Sequence, residues 1–226
     1  MKNKYMKKTG SPAPWSEAFY GVYPVITEKF CLNGSGIKTL REVLKGGAKI
    51  VQMREKDYPC KKIYEMALVF RKLTREAGAL LIINDWLDIA LAVDADGVHL
   101  GQDDLPVAAA RKAAPDMIIG VSTHNIKEAL KAKNSGATYV NVGPIFSTKT
   151  KETQCRPLGP DAIPIFSKKI KIPFTVMGGI KSGNIRDVLE RGARCIAVVT
   201  EITMSANPAK TVKKLNEIIA KYENRQ

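Results

Sequence analysis

Eight times between residues 20 and 222, a short run rich in β-branched residues is followed by a longer amphipathic stretch, and this recurrence constrains the fold more than any other feature of the chain. Strand-length runs alternating with helix-length ones are the pattern of βα units wrapped around a parallel sheet. The strands fall at 21–27 (GVYPVIT), 48–54 (AKIVQMR), 79–84 (ALLIIN), 96–100 (DGVHL), 117–122 (MIIGVS), 138–144 (TYVNVGP), 172–179 (IPFTVMGG) and 195–200 (CIAVVT). ALLIIN is apolar throughout, as a strand buried on both faces must be. The helices expected between them end near Lys45, then cover about 59–77, the LDIALAV segment, a stretch after Pro106, 126–134, 160–169, 184–191 and 208–222. Pro59 stands where a first helical turn tolerates it, and Gly136 and Gly192 stand where helices stop. Eight units with short connections predict a single-domain (β/α)8 TIM barrel, with an open doubly wound sheet as the structural alternative.

At 226 residues and 45% hydrophobic content, the chain can bury one sizeable core, near the lower limit for such a barrel. No run of about eighteen uncharged apolar residues occurs, so no membrane-spanning helix is expected. Residues 1–19 read as a disordered basic extension and residues 20–226 as the catalytic barrel. The extension lacks both the apolar stretch of a secretory signal and the arginine-rich pattern of a presequence. Cys31, Cys60, Cys155 and Cys195 have no C-x-x-C spacing, which suits free thiols in a reducing cytoplasm rather than a disulfide frame or a zinc site. The net charge of +14 invites a comparison with nucleic-acid binders. The tail accounts for only +3 of it, and no helix-turn-helix, zinc-finger or aromatic RNA-binding signature accompanies the rest. Small polyanions are the expected partners, with homo-oligomerisation left open.

In parallel α/β folds the ligand sits at the carboxyl ends of the strands, beside the loops and helix amino termini. Polar residues collect at that end: Gln52, Arg54 and Lys56 after strand two, Asn84 and Asp85 after strand three, and Gln102, Asp103 and Asp104 after strand four. Ser122, Thr123 and His124 follow strand five, Thr148, Thr150 and Lys151 strand six, Gly178 and Gly179 strand seven, and Thr200 strand eight. Any one of them could simply cap a helix. Seven successive strand ends carrying such groups imply a polar pocket at one mouth of the barrel.

Asp85 and Asp103 end neighbouring strands, and hard oxygen ligands of this kind suit Mg²⁺ held jointly with substrate phosphates. Arg54, Lys56 and Lys151 would give a diphosphate its positive lining, although each could instead be a solvated surface charge. Gly178-Gly179 and Val199-Thr200, on the loops where many barrels bind phosphate through backbone N–H groups, suggest a second anion site. Two phosphate sites, only one with carboxylates, point to two phosphorylated substrates, one losing diphosphate and one keeping its monophosphate. His99 and His124, the only histidines, read as interior or supporting residues more readily than as a catalytic dyad.

The runs VQMREK, IINDWLDIALAVDADGVHLGQDDLP, GVSTHN, VGPIFSTKTK, GGI and AVVTEI resemble those of thiamine-phosphate synthases, in the same order and over about 20–222. The resemblance implies condensation of an aminopyrimidine diphosphate with a thiazole phosphate, giving thiamine phosphate and pyrophosphate. It places Gln52, Met53, Arg54, Glu55, Lys56, Asn84, Ser122 and Lys151 at the pyrimidine diphosphate, with Lys56, Ser122 and Lys151 acting in catalysis. It assigns Thr148, Lys149, Thr150, Gly179, Val199 and Thr200 to the thiazole phosphate, and Asp85 and Asp103 to Mg²⁺. The loop over 145–157 becomes a candidate shield against water. Three positions depart from the family pattern: Trp86 where arginine is common, Ser147 where proline is common, and Thr200 where serine is usual. A thiazole tautomerase of the same superfamily and a phosphate-binding regulator on a barrel scaffold are the competing readings.

Overall fold

The computed structural model describes residues 16–148 and 155–223. Eight parallel strands close in sequence order: β1 (Gly21–Ile26), β2 (Ile50–Met53), β3 (Leu80–Asn84), β4 (Gly97–Leu100), β5 (Ile118–Thr123), β6 (Tyr139–Val142), β7 (Phe174–Val176) and β8 (Cys195–Val198). Closure is made by β1 on β8, with Gly21 opposite Cys195 and Pro24 opposite Val198. The open-sheet alternative is therefore excluded.

The helices are α1 (Gly36–Lys45), α2 (Cys60–Glu76), α3 (Leu87–Ala92), α4 (Val107–Ala113), α5 (Ile126–Asn134), α6 (Ala162–Lys169), α7 (Ile185–Leu189), α8 (Thr200–Thr203) and α9 (Pro208–Glu223). Side-chain caps fix three of their starts, one of them α9, where Lys210 N donates to Asn207 Oδ1 at 2.9 Å. Lys38 N donates to Ser35 Oγ at 3.3 Å, and Glu128 N donates to Asn125 Oδ1 at 2.9 Å. No described helix is long and apolar enough to cross a membrane.

The sixth and seventh strands are shorter than the apolar runs that announced them, because Gly143-Pro144 and Gly178-Gly179 leave the ladder for the mouth loops. Thr200, expected as the end of the eighth strand, instead starts the one-turn helix α8. Ser16–Phe19, inside the stretch expected to be disordered, is a 3-10 turn with Ala18 and Phe19 buried. The Phe19 ring packs 4.6 Å from that of Tyr139 and plugs the foot of the barrel.

Strand alternation sorts the core into two sets. Residues such as Val51, Met53, Leu81, Ile83, Val98, Val140 and Ile196 face the helices, while Tyr23, Val25, Ile50, Ile82, Ile118, Tyr139 and Cys195 pack within the barrel. One buried ion pair ties α2 to β3 and β4: Arg71 Nη1 lies 2.6 Å from Asp96 Oδ2, which also accepts from Leu81 N.

Candidate active site

The inward set turns polar at the carboxyl ends of the strands. A cavity of about 250 Å³ opens there, lined by Gln52, Arg54, Lys56, Asn84, Asp85, His99, Asp103, Asp104, Ser122 and Thr148 among others. A second hollow of about 640 Å³ adjoins it, lined by Gly178, Gly179, Val199 and Thr200. Arg54, Thr148, Met177, Gly178 and Ala197 line both, so the two are neighbouring compartments of one mouth.

Alternation also separates residues expected to act together. Gln52, Arg54 and Lys56 line the mouth, whereas Met53 is buried against the helices and Glu55 turns back into the protein, where Glu28 N donates to its Oε1 at 2.7 Å. Neither Met53 nor Glu55 lines either compartment. Burial raises the Glu55 carboxyl from 4.5 to about 7; the nearby Glu28 and Asp57 charges add to this, while the Glu28 N–H and Arg54 oppose it.

Asp85 sits in the left-handed backbone region at φ 65°, its amide donating to His99 O at 2.8 Å. Its carboxylate lies 2.6 Å from Lys56 Nζ. Burial raises the Asp85 carboxyl above its ordinary range, a hydrogen bond to Asp104 raises it further, and Lys56 opposes both. The partner of Asp85 is thus Asp104. Asp104 is half-buried, its Oδ2 accepting from Gly101 N at 2.6 Å, whereas Asp103 is exposed at the rim. Both aspartates line the cavity, and the turn after β4 gives Asp104 the more buried place; their adjacency in sequence does not distinguish them. Among the described residues no group of three or more His, Cys, Asp and Glu side chains could hold a metal. A divalent cation here would complete its shell with waters or with oxygens of a ligand.

Asn84 lines this cavity, and its buried Nδ2 has no hydrogen-bond partner. A buried unpaired donor is costly unless a ligand satisfies it. His99 is interior, as expected, with its ring nitrogens 2.8 Å from Tyr139 Oη and 2.9 Å from Ser122 Oγ. His124 Nδ1 lies 3.0 Å from Glu128 Oε2, which also accepts from His124 N. Trp86 lies outside the cavity lining. Its ring packs against the core, and Nε1 donates to Glu55 O at 3.4 Å, so the residue joins the loops after β2 and β3.

In the second compartment glycine is a steric requirement. Gly178 and Gly179 have φ of 102° and 63°, and a Cβ on Gly179 would lie 2.5 Å from Ser147 O. Ile145 N donates to Met177 O and Phe146 N to Gly178 O, which presses the β6 and β7 loops together. The expected ligands Lys149, Thr150 and Lys151 lie outside the described residues, as does much of the loop over 145–157.

Residues 22–202 match the family model described as thiamine monophosphate synthase. A thiamine-phosphate synthase of Pelotomaculum thermopropionicum is 45% identical over 204 residues, 90% of this chain and 94% of the relative. One from Caldicellulosiruptor saccharolyticus is 43% identical over 90% of this chain and 93% of its own length. The solved thiamine phosphate pyrophosphorylase of Pyrococcus furiosus superposes with a TM-score of 0.85 at 35% identity, covering 92% of this chain and 98% of that one. The chain belongs to the thiamine monophosphate synthase (TMP-TENI) family.

Proposed function

We propose that the two compartments hold the two substrates of thiamine phosphate synthesis: the aminopyrimidine diphosphate between Gln52, Asn84 and the charged wall, and the thiazole phosphate against Gly179, Val199 and Thr200. The observation that carries this is the meeting of Asp85, Asp104, Lys56 and Arg54 in a cavity that shares a wall with the glycine-lined hollow. Two carboxylates without a third protein ligand suit Mg²⁺, which commonly takes one or two carboxylates and completes its shell with substrate phosphate oxygens. When bound, Mg²⁺ would supply positive charge to the departing diphosphate.

The residues of the chain do the rest. Arg54 and Lys56 offer donors to the diphosphate, and on this reading Lys56 exchanges part of its pairing with Asp85 for the incoming anion. Ser122 adds a hydroxyl from the wall of β5, and Lys151 a further cation from the loop after β6. The bond between the pyrimidine methylene carbon and the diphosphate oxygen breaks with its electron pair on oxygen. The thiazole nitrogen, held by its phosphate at the adjoining hollow, then donates its lone pair to that carbon. The first amides of a helix have no acceptor within it, which suits those at the start of α8 to a phosphate oxygen, with Thr148 lining the same hollow. Catalysis on this reading is alignment and electrostatic stabilisation, which accounts for a mouth rich in cations and donors.

A barrel of residues 20–226 working in the cytoplasm belongs to the same reading; the free state of Cys31, Cys60, Cys155 and Cys195 supports that compartment. A coupled pyrophosphate assay with each component omitted in turn tests the function. Release is expected only with both substrates and Mg²⁺ present. Isomerisation of the thiazole phosphate alone, without pyrophosphate release, would reassign the chain to tautomerase chemistry.

A further inference from the structure

A single line of hydrogen bonds crosses the barrel interior and joins two walls of the pyrimidine compartment. Gln52 Nε2 donates to Tyr23 Oη at 3.0 Å, and Tyr23 Oη lies 3.1 Å from Tyr139 Oη. Tyr139 Oη lies 2.8 Å from His99 Nδ1, and His99 Nε2 lies 2.9 Å from Ser122 Oγ. Gln52, Tyr23, Tyr139 and His99 are all buried, while Gln52 and Ser122 both line the cavity. The path is built into the sequence at Gly120, where any Cβ would fall 2.1 Å from the Tyr139 ring.

The direction of the line follows from counting hydrogens. Burial holds both phenols far above their ordinary range, so each keeps its one hydrogen. Tyr23 accepts from Gln52, and among the described residues Tyr139 Oη is the acceptor within reach of its own hydrogen, so it donates to Tyr139. Tyr139, having accepted, donates to His99 Nδ1. An imidazole that accepts at Nδ1 carries its own hydrogen on Nε2 and gives it to Ser122 Oγ. The Ser122 hydroxyl then has its hydrogen left for an acceptor other than His99. The reverse polarity would leave the buried Tyr23 hydrogen without an acceptor unless the Gln52 amide turned oxygen-first towards it, and it would spend the Ser122 hydrogen on the imidazole.

We infer that Tyr23, Tyr139 and His99 are positioning residues that hold Ser122 as a hydrogen-bond donor to the anionic leaving group, and that the seating of the Gln52 amide sets this polarity. The inference rests on the assignment of Ser122 to the diphosphate. Because the chain has only His99 and His124, long-range ¹H–¹⁵N spectra of the free protein, assigned with H124Q, read the tautomer directly. His99 is expected as the Nε2–H form. Tyr139→Phe should disturb that signature and lower kcat by about tenfold or more, the worth of one hydrogen bond to a charged group. It should leave the KM for the thiazole phosphate unchanged. A wild-type His99 protonated on Nδ1 would overturn the inference, as would Tyr139→Phe retaining full kcat while Ser122→Ala loses it. Full kcat in Ser122→Ala, with the Nε2–H form present, would instead show that Ser122 does not serve the diphosphate, which refutes the underlying assignment and leaves the hydrogen-bond line itself standing.

Discussion

Glu55→Gln should make the protein more stable, and by an amount that depends on pH in a defined direction. The Glu55 carboxyl is buried beside Glu28, and its pKa is raised from 4.5 to about 7. Between those values the folded chain retains a proton that the unfolded chain releases, so raising the pH costs stability; below 4.5 both states are protonated and the term vanishes. Above about pH 7 the full penalty is in force, about 3 kcal/mol. Glutamine carries no charge at any pH and keeps an oxygen for the Glu28 amide, which donates to Glu55 Oε1 at 2.7 Å. Urea unfolding of both proteins at several pH values from 4.5 to 8 would measure the difference. The variant should gain up to about 3 kcal/mol between pH 5 and pH 8, equivalent to roughly 6–12 °C in Tm for a domain of this size. A difference that is flat across this range, or that grows towards acid, would refute the reasoning that an ionised Glu55 is held against its own burial.

Three further outcomes follow from the geometry. Asp104→Asn should lower kcat/KM on the order of a hundredfold at limiting Mg²⁺, with Asp103→Asn far milder, since Asp104 is the carboxylate bonded to Asp85; steady-state assays across a magnesium titration compare them. Asp96→Ala strips the partner from the buried Arg71 guanidinium, whose Nε already has none, and should cost about 3–5 kcal/mol in urea unfolding. Gly179→Ala forces a side chain into left-handed backbone 2.5 Å from Ser147 O; it should cost about 1–3 kcal/mol and raise the KM for the thiazole phosphate more than that for the pyrimidine diphosphate.

The architecture was legible because hydrophobic period and punctuation agree along the chain. The helix at Ile126–Asn134 matches its expected bounds, and Pro59 and Pro106 both stand immediately before helices. What period alone could not supply was orientation at strand ends. Applied strictly, alternation along β2 separates Gln52 and Arg54 from Met53 and Glu55; the family resemblance had grouped the whole run. The choice between Asp103 and Asp104 depends on a tight turn closed by the Gly101 amide, which no periodicity encodes. Trp86 reads in sequence as a lost cation, yet its indole N–H bonds the neighbouring loop, a contact across 31 residues. The interior line of hydrogen bonds was also out of reach. Tyr23 and Tyr139 are ordinary strand residues in their own segments, and their contact spans 116 positions.

On the proposed reading, Asp85 and Asp104, with Lys56 beside them, mark the place where the charge of a diphosphate is neutralised by the protein and a metal. A crystal soaked with Mn²⁺ and pyrophosphate, with the metal located by its anomalous signal, addresses it directly. The ion is expected between oxygens of Asp85, Asp104 and the pyrophosphate, with Lys56 turned to the anion. A metal held elsewhere, or pyrophosphate bound in the Gly179–Thr200 hollow with the carboxylate pair untouched, would contradict it.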